Sequence, residues 1–244
     1  MTRERTPRHA SVTDTVELLG LVAQLEDNAF GRYAADAANA PDAEGRLLYS
    51  RFAAQAVERR DRVLERVSEL GGDPAQAIAR YTTVLDDFDA RTQPSTWWER
   101  LLKGYVGAGV SDDFCRIAAR NLDPTSRDLV LDVLDDAAQA ELSVRSLENA
   151  CAEDEVLTAR LALWGRRVVG ESLQIVQRLL INHPGLARLM THPEPAEARV
   201  APATDAPATG AAAPVVAEAA APGKVLNELT AQHTRRMSRL KFTA

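Results

Sequence analysis

Apolar residues recur every three to four positions along most of residues 11–190, the spacing that gathers them on one face of an α-helix. The pattern predicts a weaker helical segment near 75–91 and long helices over about 14–40, 43–70, 95–121, 124–151 and 155–182. Prolines stand beside the ends of these segments, which is where they mark helix boundaries. Because no alternating Val, Ile or Thr run predicts a strand, the predicted fold class is all-α.

The connections between the predicted helices indicate how they pack. The junctions at Pro41 and Pro124 are short, so the helices on either side of each run antiparallel. The connection from Gly71 to Pro94 is the one long link among the first four long helices. This order predicts a ferritin-like up-down helical bundle with one long crossover and an added fifth helix on its flank or end.

The two ends of the chain differ from residues 11–190. Residues 1–10 are predicted to be a flexible N-terminus, and the Ala- and Pro-rich stretch over 191–223 a disordered linker, because it has almost no large apolar side chains to bury. Residues 224–244 predict a C-terminal amphipathic basic helix. The apolar side of such a helix requires a partner, which the sequence leaves open: the chain's own bundle, a second protomer in a homodimer, another protein, or RNA or an anionic membrane surface.

The composition and net charge limit which partners and which cellular compartment the sequence is compatible with. The 244 residues are 45% hydrophobic and carry a net charge of −6. The acidic excess makes the whole molecule a poor nonspecific binder of nucleic acid, so RNA binding would be local to the basic tail. No apolar run approaches the roughly 18 residues that a membrane span requires, and the start MTRERTPRHASV lacks the apolar core of a secretion signal. We therefore expect a cytoplasmic protein.

Charged residues interrupt the apolar faces of the long helices, one in each: Glu26, Arg59, Asp113, Glu141 and Glu171. A buried ionised group requires a partner or a metal ion. The pattern leaves open that Glu26 lies at the edge of its apolar face with its carboxylate in water, and that Glu141 and Glu171 are edge residues with surface partners. Carboxylates that point inward from facing helices are typical of di-iron sites, but those sites also use a Glu-x-x-His motif on each of two helices. The chain has no such motif, and its four histidines lie outside the candidate site helices.

Several stretches resemble the actinobacterial ferritin-like proteins grouped with the tRNA hydroxylase MiaE: LLGLVAQLEDNAF, SELGGDP, WWERLLKGYVGAGVSDDF, NLDPTSRDLVLDVL, LALWGRRVVGESL and LTAQHTRRMSRL. The resemblance implies a ferritin-like bundle. It also implies a relationship to a di-iron, oxygen-dependent enzyme that hydroxylates a modified adenosine in tRNA.

Carried over by position, the resemblance matches Glu26 to the first-helix carboxylate and Asp113 to the third-helix one. The second-helix Glu-x-x-His falls on Ala56 and Arg59, and the fourth-helix motif falls on Asp136 and Gln139. One carboxylate and both imidazoles are therefore replaced, and Arg59 places a permanent positive charge where iron belongs.

The resulting prediction is a degenerate site that needs no cofactor. In it, Arg59 neutralises Glu26, with Asp113 or Glu141 as further members of a buried charge network. The protein would then act by binding, as a scaffold module without an assigned catalytic residue. One alternative is a di-iron hydroxylase that uses an atypical ligand set of Glu26, Asp113, Asp136, Glu141 and Glu171. Another is an RNA-associated factor that uses the basic tail.

Overall fold

The computed structural model describes residues 10–135, 137–191 and 222–242, and every regular element in these ranges is an α-helix. The helices are α1 (Val12–Asn39), α2 (Ala43–Glu69), α3 (Pro74–Ala79), α4 (Asp86–Arg91), α5 (Trp97–Ala119), α6 (Pro124–Val133), α7 (Ala137–Cys151), α8 (Glu155–Asn182), α9 (Pro184–Thr191) and α10 (Pro222–Arg239). Residues 1–9 of the predicted flexible start and 192–221 of the predicted linker lie outside the described residues.

Side-chain caps set where the long helices begin. Ser11, Asp42, Thr96 and Asp154 each accept a hydrogen bond from a backbone N–H in the first turn of α1, α2, α5 and α8. These caps satisfy donors that the helix itself leaves unpaired. The predicted boundaries of these four helices are therefore close to the observed ones.

The bundle is built around α1, α2 and α5. The short turn after α1 places α2 antiparallel beside it, and α5 packs against α1, α6, α7 and α8. The predicted long crossover runs from α2 to α5 and contains α3 and α4. At Gly20 in α1 the backbone of α3 comes so close that a Cβ would lie 2.5 Å from the carbonyl oxygen of Ala77. These features confirm the all-α ferritin-like architecture.

The prediction of one continuous helix over 124–151 is wrong, because the chain breaks between α6 and α7. α6 ends at Val133, and the carbonyl of Leu134 accepts a hydrogen bond from the Arg116 guanidinium on α5. Asp135 and Asp136 then follow, and aspartate favours helix starts over helix interiors. The break changes which residues of α7 face the core.

The C-terminal helix α10 lies on the chain's own bundle, against α5 and α8, which is one of the partners left open by the sequence. Leu229, His233 and Met237 are buried in this contact. Gly165 on α8 makes room for it, since a Cβ there would lie 2.6 Å from the terminal methyl carbon of Met237. No described helix combines the length and the hydropathy that a membrane span needs.

Candidate functional site

A cavity of about 630 Å³ lies in the bundle, with walls contributed mainly by α1, α5, α8 and the crossover. Most of its surface is apolar and comes from residues such as Leu21, Phe88, Phe114, Ile175, Val176 and Leu179. A smaller set of polar side chains also lines it, among them Glu26, Asn28, Arg32, Arg59, Asp112 and Ser172. The cavity therefore combines an apolar enclosure with a few charged groups.

Glu26 and Arg59 form an ion pair in the cavity wall. The Arg59 Nε donates to Glu26 Oε2 at 2.9 Å, across the interface of α1 and α2. Their side chains are only 9% and 15% exposed. Ala56, one turn before Arg59, is completely buried, so both positions that correspond to the family's second-helix motif face the core. The structure thus joins the two residues that sequence reasoning placed on facing apolar stripes.

A second ion pair lies directly beside the first. The Nη1 of Arg60 donates to Asp27 Oδ1 at 2.9 Å, again joining α2 to α1. Here the side chains are 24% and 42% exposed, so the pair is much more open to water than the Glu26 pair. Arg60 also pairs with the exposed Asp61 at 2.8 Å, so the two α1–α2 pairs share helices and differ in burial and in this additional solvated contact.

Asp112 on α5 is the cavity carboxylate that sequence reasoning missed. It is half-buried, it lines the cavity, and it also lines a smaller pocket of about 170 Å³ next to Arg236. Burial raises the pKa of its carboxyl from 3.8 to about 7, against the opposing effect of Arg116. Within the described residues its side chain makes no hydrogen bond or ion pair.

Arg32 contributes a positive charge to the same cavity. Its guanidinium carbon lies 4.7 Å from the ring centroid of Tyr33, a cation–π contact. A Cβ at Gly104 on α5 would lie 3.8 Å from the Arg32 side chain, an ordinary van der Waals contact, so α5 packs alongside Arg32 here. Burial opposes its charge, but Tyr33 and Asp36 outweigh burial and raise the pKa of the guanidinium. Arg32 is therefore held as a cation on an aromatic surface.

The other predicted members of the charge network do not join Glu26 and Arg59. Asp113 accepts from Arg236 of α10 at 2.7 Å and lies 3.6 Å from Arg116. Asp113 faces α10 and does not line the cavity. Because α5 is surrounded by other helices, apolar residues occur on all of its faces. The side of α5 predicted to face the site was therefore one residue off.

Glu141 and Glu171 are stripe-edge residues. Glu141 is 46% exposed and pairs with Arg239 of α10 and with Arg145. Glu141 was predicted to face the core on the assumption of one continuous helix over 124–151. The chain breaks after α6, so that assumption does not hold. Glu171 is 20% exposed and lies 3.3 Å from Arg91 of α4. Asp136, the remaining member of the alternative metal set, lies outside the described residues.

The donor set does not fit a di-iron centre. The imidazole positions implied by the resemblance hold Arg59, which pairs with Glu26, and Gln139, whose Nε2 donates to Ser143 at 3.1 Å. Three of the proposed carboxylate ligands pair with arginines: Asp113 with Arg236 between α5 and α10, Glu141 with Arg239, and Glu171 with Arg91. In the described part of the chain, no group of three or more His, Cys, Asp or Glu side chains could hold a metal ion. We therefore assign no iron chemistry to these residues.

Comparison with known proteins places the fold in a family. No curated protein matches the chain. A family model described as the ferritin-like domain of actinomycetes matches residues 9–193, which include α1 to α9 and the whole cavity. The match, together with the all-α bundle and its long crossover, shows that the chain belongs to the actinomycete ferritin-like domain family.

Proposed function

We propose that this ferritin-like protein is a binding module that takes up a small organic molecule in its bundle cavity and has lost standard di-iron chemistry. The observation that carries the proposal is the 630 Å³ cavity with the Glu26–Arg59 ion pair in its wall. Ligand cavities in proteins measure about 300–1,000 Å³ and combine apolar walls with a few placed polar groups. This cavity has both properties.

The loss of iron chemistry is supported by the position of Arg59. A guanidinium is permanently charged, so it repels a metal cation at the carboxylate that it neutralises. With Arg59 against Glu26, the carboxylate is stabilised by hydrogen bonding and charge instead of by metal coordination. Without a metal ion at Glu26, the cavity has room for an organic ligand.

The role of the C-terminal helix follows from its contacts. Its basic side chains Arg236 and Arg239 pair with Asp113 and Glu141 of the bundle. These contacts support the chain's own bundle as the partner of α10 and leave fewer free cations for RNA. We assign α10 a structural role: it packs across α5 and α8 and stabilises their contact.

Binding of the neutral fluorescent probe N-phenyl-naphthylamine tests the proposal. We expect the probe to bind the full chain in a saturable manner. The variant Ser172→Leu, which extends an apolar side chain from α8 into the cavity, should abolish binding. The matched control Gln177→Leu places the same side chain on the exposed side of α8 and should bind normally. Absence of probe binding, or equal binding by both variants, would overturn the proposal.

Metal analysis tests the other half of the proposal. Protein purified aerobically from iron-supplied cells should contain iron well below stoichiometric levels. A full di-iron complement that is retained through purification would contradict the degenerate site and favour the hydroxylase alternative instead. We expect the Arg59→His variant to gain no iron, because several ligands of the site are missing and this change restores only one.

A further inference from the structure

We infer that the cavity's ligand is an organic cation, whose positive group lies against the carboxylate of Asp112 while its apolar body fills the space between α1, α5 and α8. This inference rests on the proposed function, because it assumes that the cavity is a binding site. It identifies the chemical class of the ligand from the charges that the protein leaves uncompensated.

All but one of the charged residues that line the cavity already have a partner in the described part of the chain. The pairs are Glu26 with Arg59, Asp27 with Arg60, Asp89 with Lys103, Arg100 with Asp36, and Arg32 with the ring of Tyr33. Asp112 alone makes neither an ion pair nor a hydrogen bond through its side chain among those residues. Asp112 is thus the lining carboxylate without a direct partner in the ranges that the structure describes. The one described lining cation whose partner is a ring rather than a carboxylate, Arg32, interacts with it only through the field that helps to raise the pKa of the guanidinium.

The nearest cations outside the cavity are committed elsewhere. Arg116 donates to the carbonyl of Leu134 and lies 3.6 Å from Asp113. Arg236 donates to the carbonyl of Gly109 at 3.1 Å and to Asp113 at 2.7 Å. Arg116, Arg236 and the cavity's own Arg32 act on the Asp112 carboxyl or are acted on by it only through their charge, and none of them forms an ion pair with it among the described residues. The carboxylate is therefore open to a direct contact with a cation from outside the protein.

Access distinguishes Asp112 from the other unsatisfied groups of the cavity. The Nε of Arg32 and the Nδ2 of Asn28 are sealed from solvent and have no hydrogen-bond partner among the described residues. The carboxylate oxygens of Asp112 are not among these sealed atoms, so a ligand can reach them. Arg32 already contacts the ring of Tyr33, whereas Asp112 has no hydrogen-bond or ion-pair partner among the described residues, so Asp112 is the position where a ligand charge adds a contact that the protein lacks.

The body of the ligand should be apolar and bulky. Phe88, Phe114, Ile175 and Leu179 line the same cavity as Asp112, and burying a hydrocarbon or aromatic body against them is favourable. An apolar body bound there would displace water from the cavity, which strengthens a charge-assisted contact at Asp112. Amphipathic amines combine these two features.

Three probes with one naphthyl body and different head groups test the inference: naphthylmethylamine, naphthylmethanol and naphthylacetate. Each is measured by displacement of N-phenyl-naphthylamine and by calorimetry at neutral pH. We expect the amine to bind at least about tenfold more tightly than the alcohol, which corresponds to one charge-assisted contact. Asp112→Asn should reduce this preference to about one, whereas the matched control Asp113→Asn should retain it.

The outcomes separate the two proposals. If the alcohol binds as tightly as the amine, or if the acetate binds best, the cavity still binds ligands but the cation inference is overturned. An amine preference that survives in Asp112→Asn would also overturn it, because another group would then hold the cation. If no probe binds and N-phenyl-naphthylamine also fails, the proposed function fails, and the inference fails with it.

Discussion

Removing Arg59 tests whether a guanidinium is the counter-charge of the bundle's inward carboxylate. The chain supplies its own control, because Arg59 and Arg60 are adjacent on α2 and each donates at 2.9 Å to an acid on α1. The Glu26–Arg59 side chains are 9% and 15% exposed, whereas those of Asp27 and Arg60 are 42% and 24% exposed. Arg59→Ala and Arg60→Ala therefore each remove an ion pair between α2 and α1, one buried and one solvated, and Arg60→Ala also removes the exposed contact with Asp61.

The expected losses differ because of desolvation. Arg59→Ala leaves the Glu26 carboxylate in an apolar wall without this guanidinium, and breaking a buried pair in this way costs about 3–5 kcal/mol in the free energy of unfolding. Arg60→Ala breaks two solvated pairs, with Asp27 and with Asp61, and a pair of this kind is worth about 0.2–1 kcal/mol. Replacing both members of the buried pair with apolar residues, as in Glu26→Leu with Arg59→Met, should restore most of the stability.

Urea unfolding followed by circular dichroism measures all of these variants. The total stability of a domain is about 5–15 kcal/mol, so a loss of 3 kcal/mol shifts the midpoint clearly. The reasoning is refuted if Arg59→Ala loses no more than Arg60→Ala. It is also refuted if the double apolar variant is less stable than Arg59→Ala, since the stability of the wall would then depend on something other than charge neutralisation.

Three further predictions follow from other contacts. Because burial raises the pKa of the Asp112 carboxyl from 3.8 to about 7, the native state loses stability as pH rises through this window, and Asp112→Asn should gain about 2–4 kcal/mol in urea unfolding at pH 8. Asp113→Asn should lose stability at the same pH, because it gives up its arginine partner on α10. Burial, followed by Arg236, lowers the pKa of His233 from 6.5 to about 4, so docking of α10 should weaken as pH falls from 6.5 to 4. Faster amide exchange in α10 at low pH would show this weakening, and a His233→Leu variant should lack it. Gly165→Leu should displace the α10 methionine and raise exchange throughout α10, whereas Gly170→Leu, at a site with no atom within 4 Å, should not.

The sequence predicts the architecture well because the signals are local and repeated. Ser11, Asp42, Thr96 and Asp154 each stand directly before an apolar period, and a cap of this type fixes a helix start without help from the rest of the fold. The long crossover follows from chain length alone. The split of the predicted helix over 124–151 could not be predicted from local signals. At the break, the carbonyl of Leu134 accepts a hydrogen bond from the Arg116 guanidinium, which belongs to another helix.

The candidate site was only partly predictable, for a reason that differs between helices. On α2, and on α1 from Glu26 onward, the buried residues fall on one face, so Glu26 and Arg59 stand out as charged exceptions on that face. α5 is enclosed by neighbours, and its apolar residues do not define one face. Which of Asp112 and Asp113 faces the cavity could be decided only from the position of α10, because Arg236 on α10 forms an ion pair with Asp113.

Asp112 bears most directly on what the cavity is for. A carboxylate that burial holds at a raised pKa lowers the stability of the native state at neutral pH, and asparagine would fill the same space without that cost. Arg59 shows that this bundle neutralises an inward acid by placing a guanidinium beside it. A position that costs stability within an otherwise compensated wall is typical of a functional site. If Asp112→Asn stabilises the protein and also removes its preference for amines, the same carboxylate accounts for both effects, and a purely structural role for Asp112 is excluded.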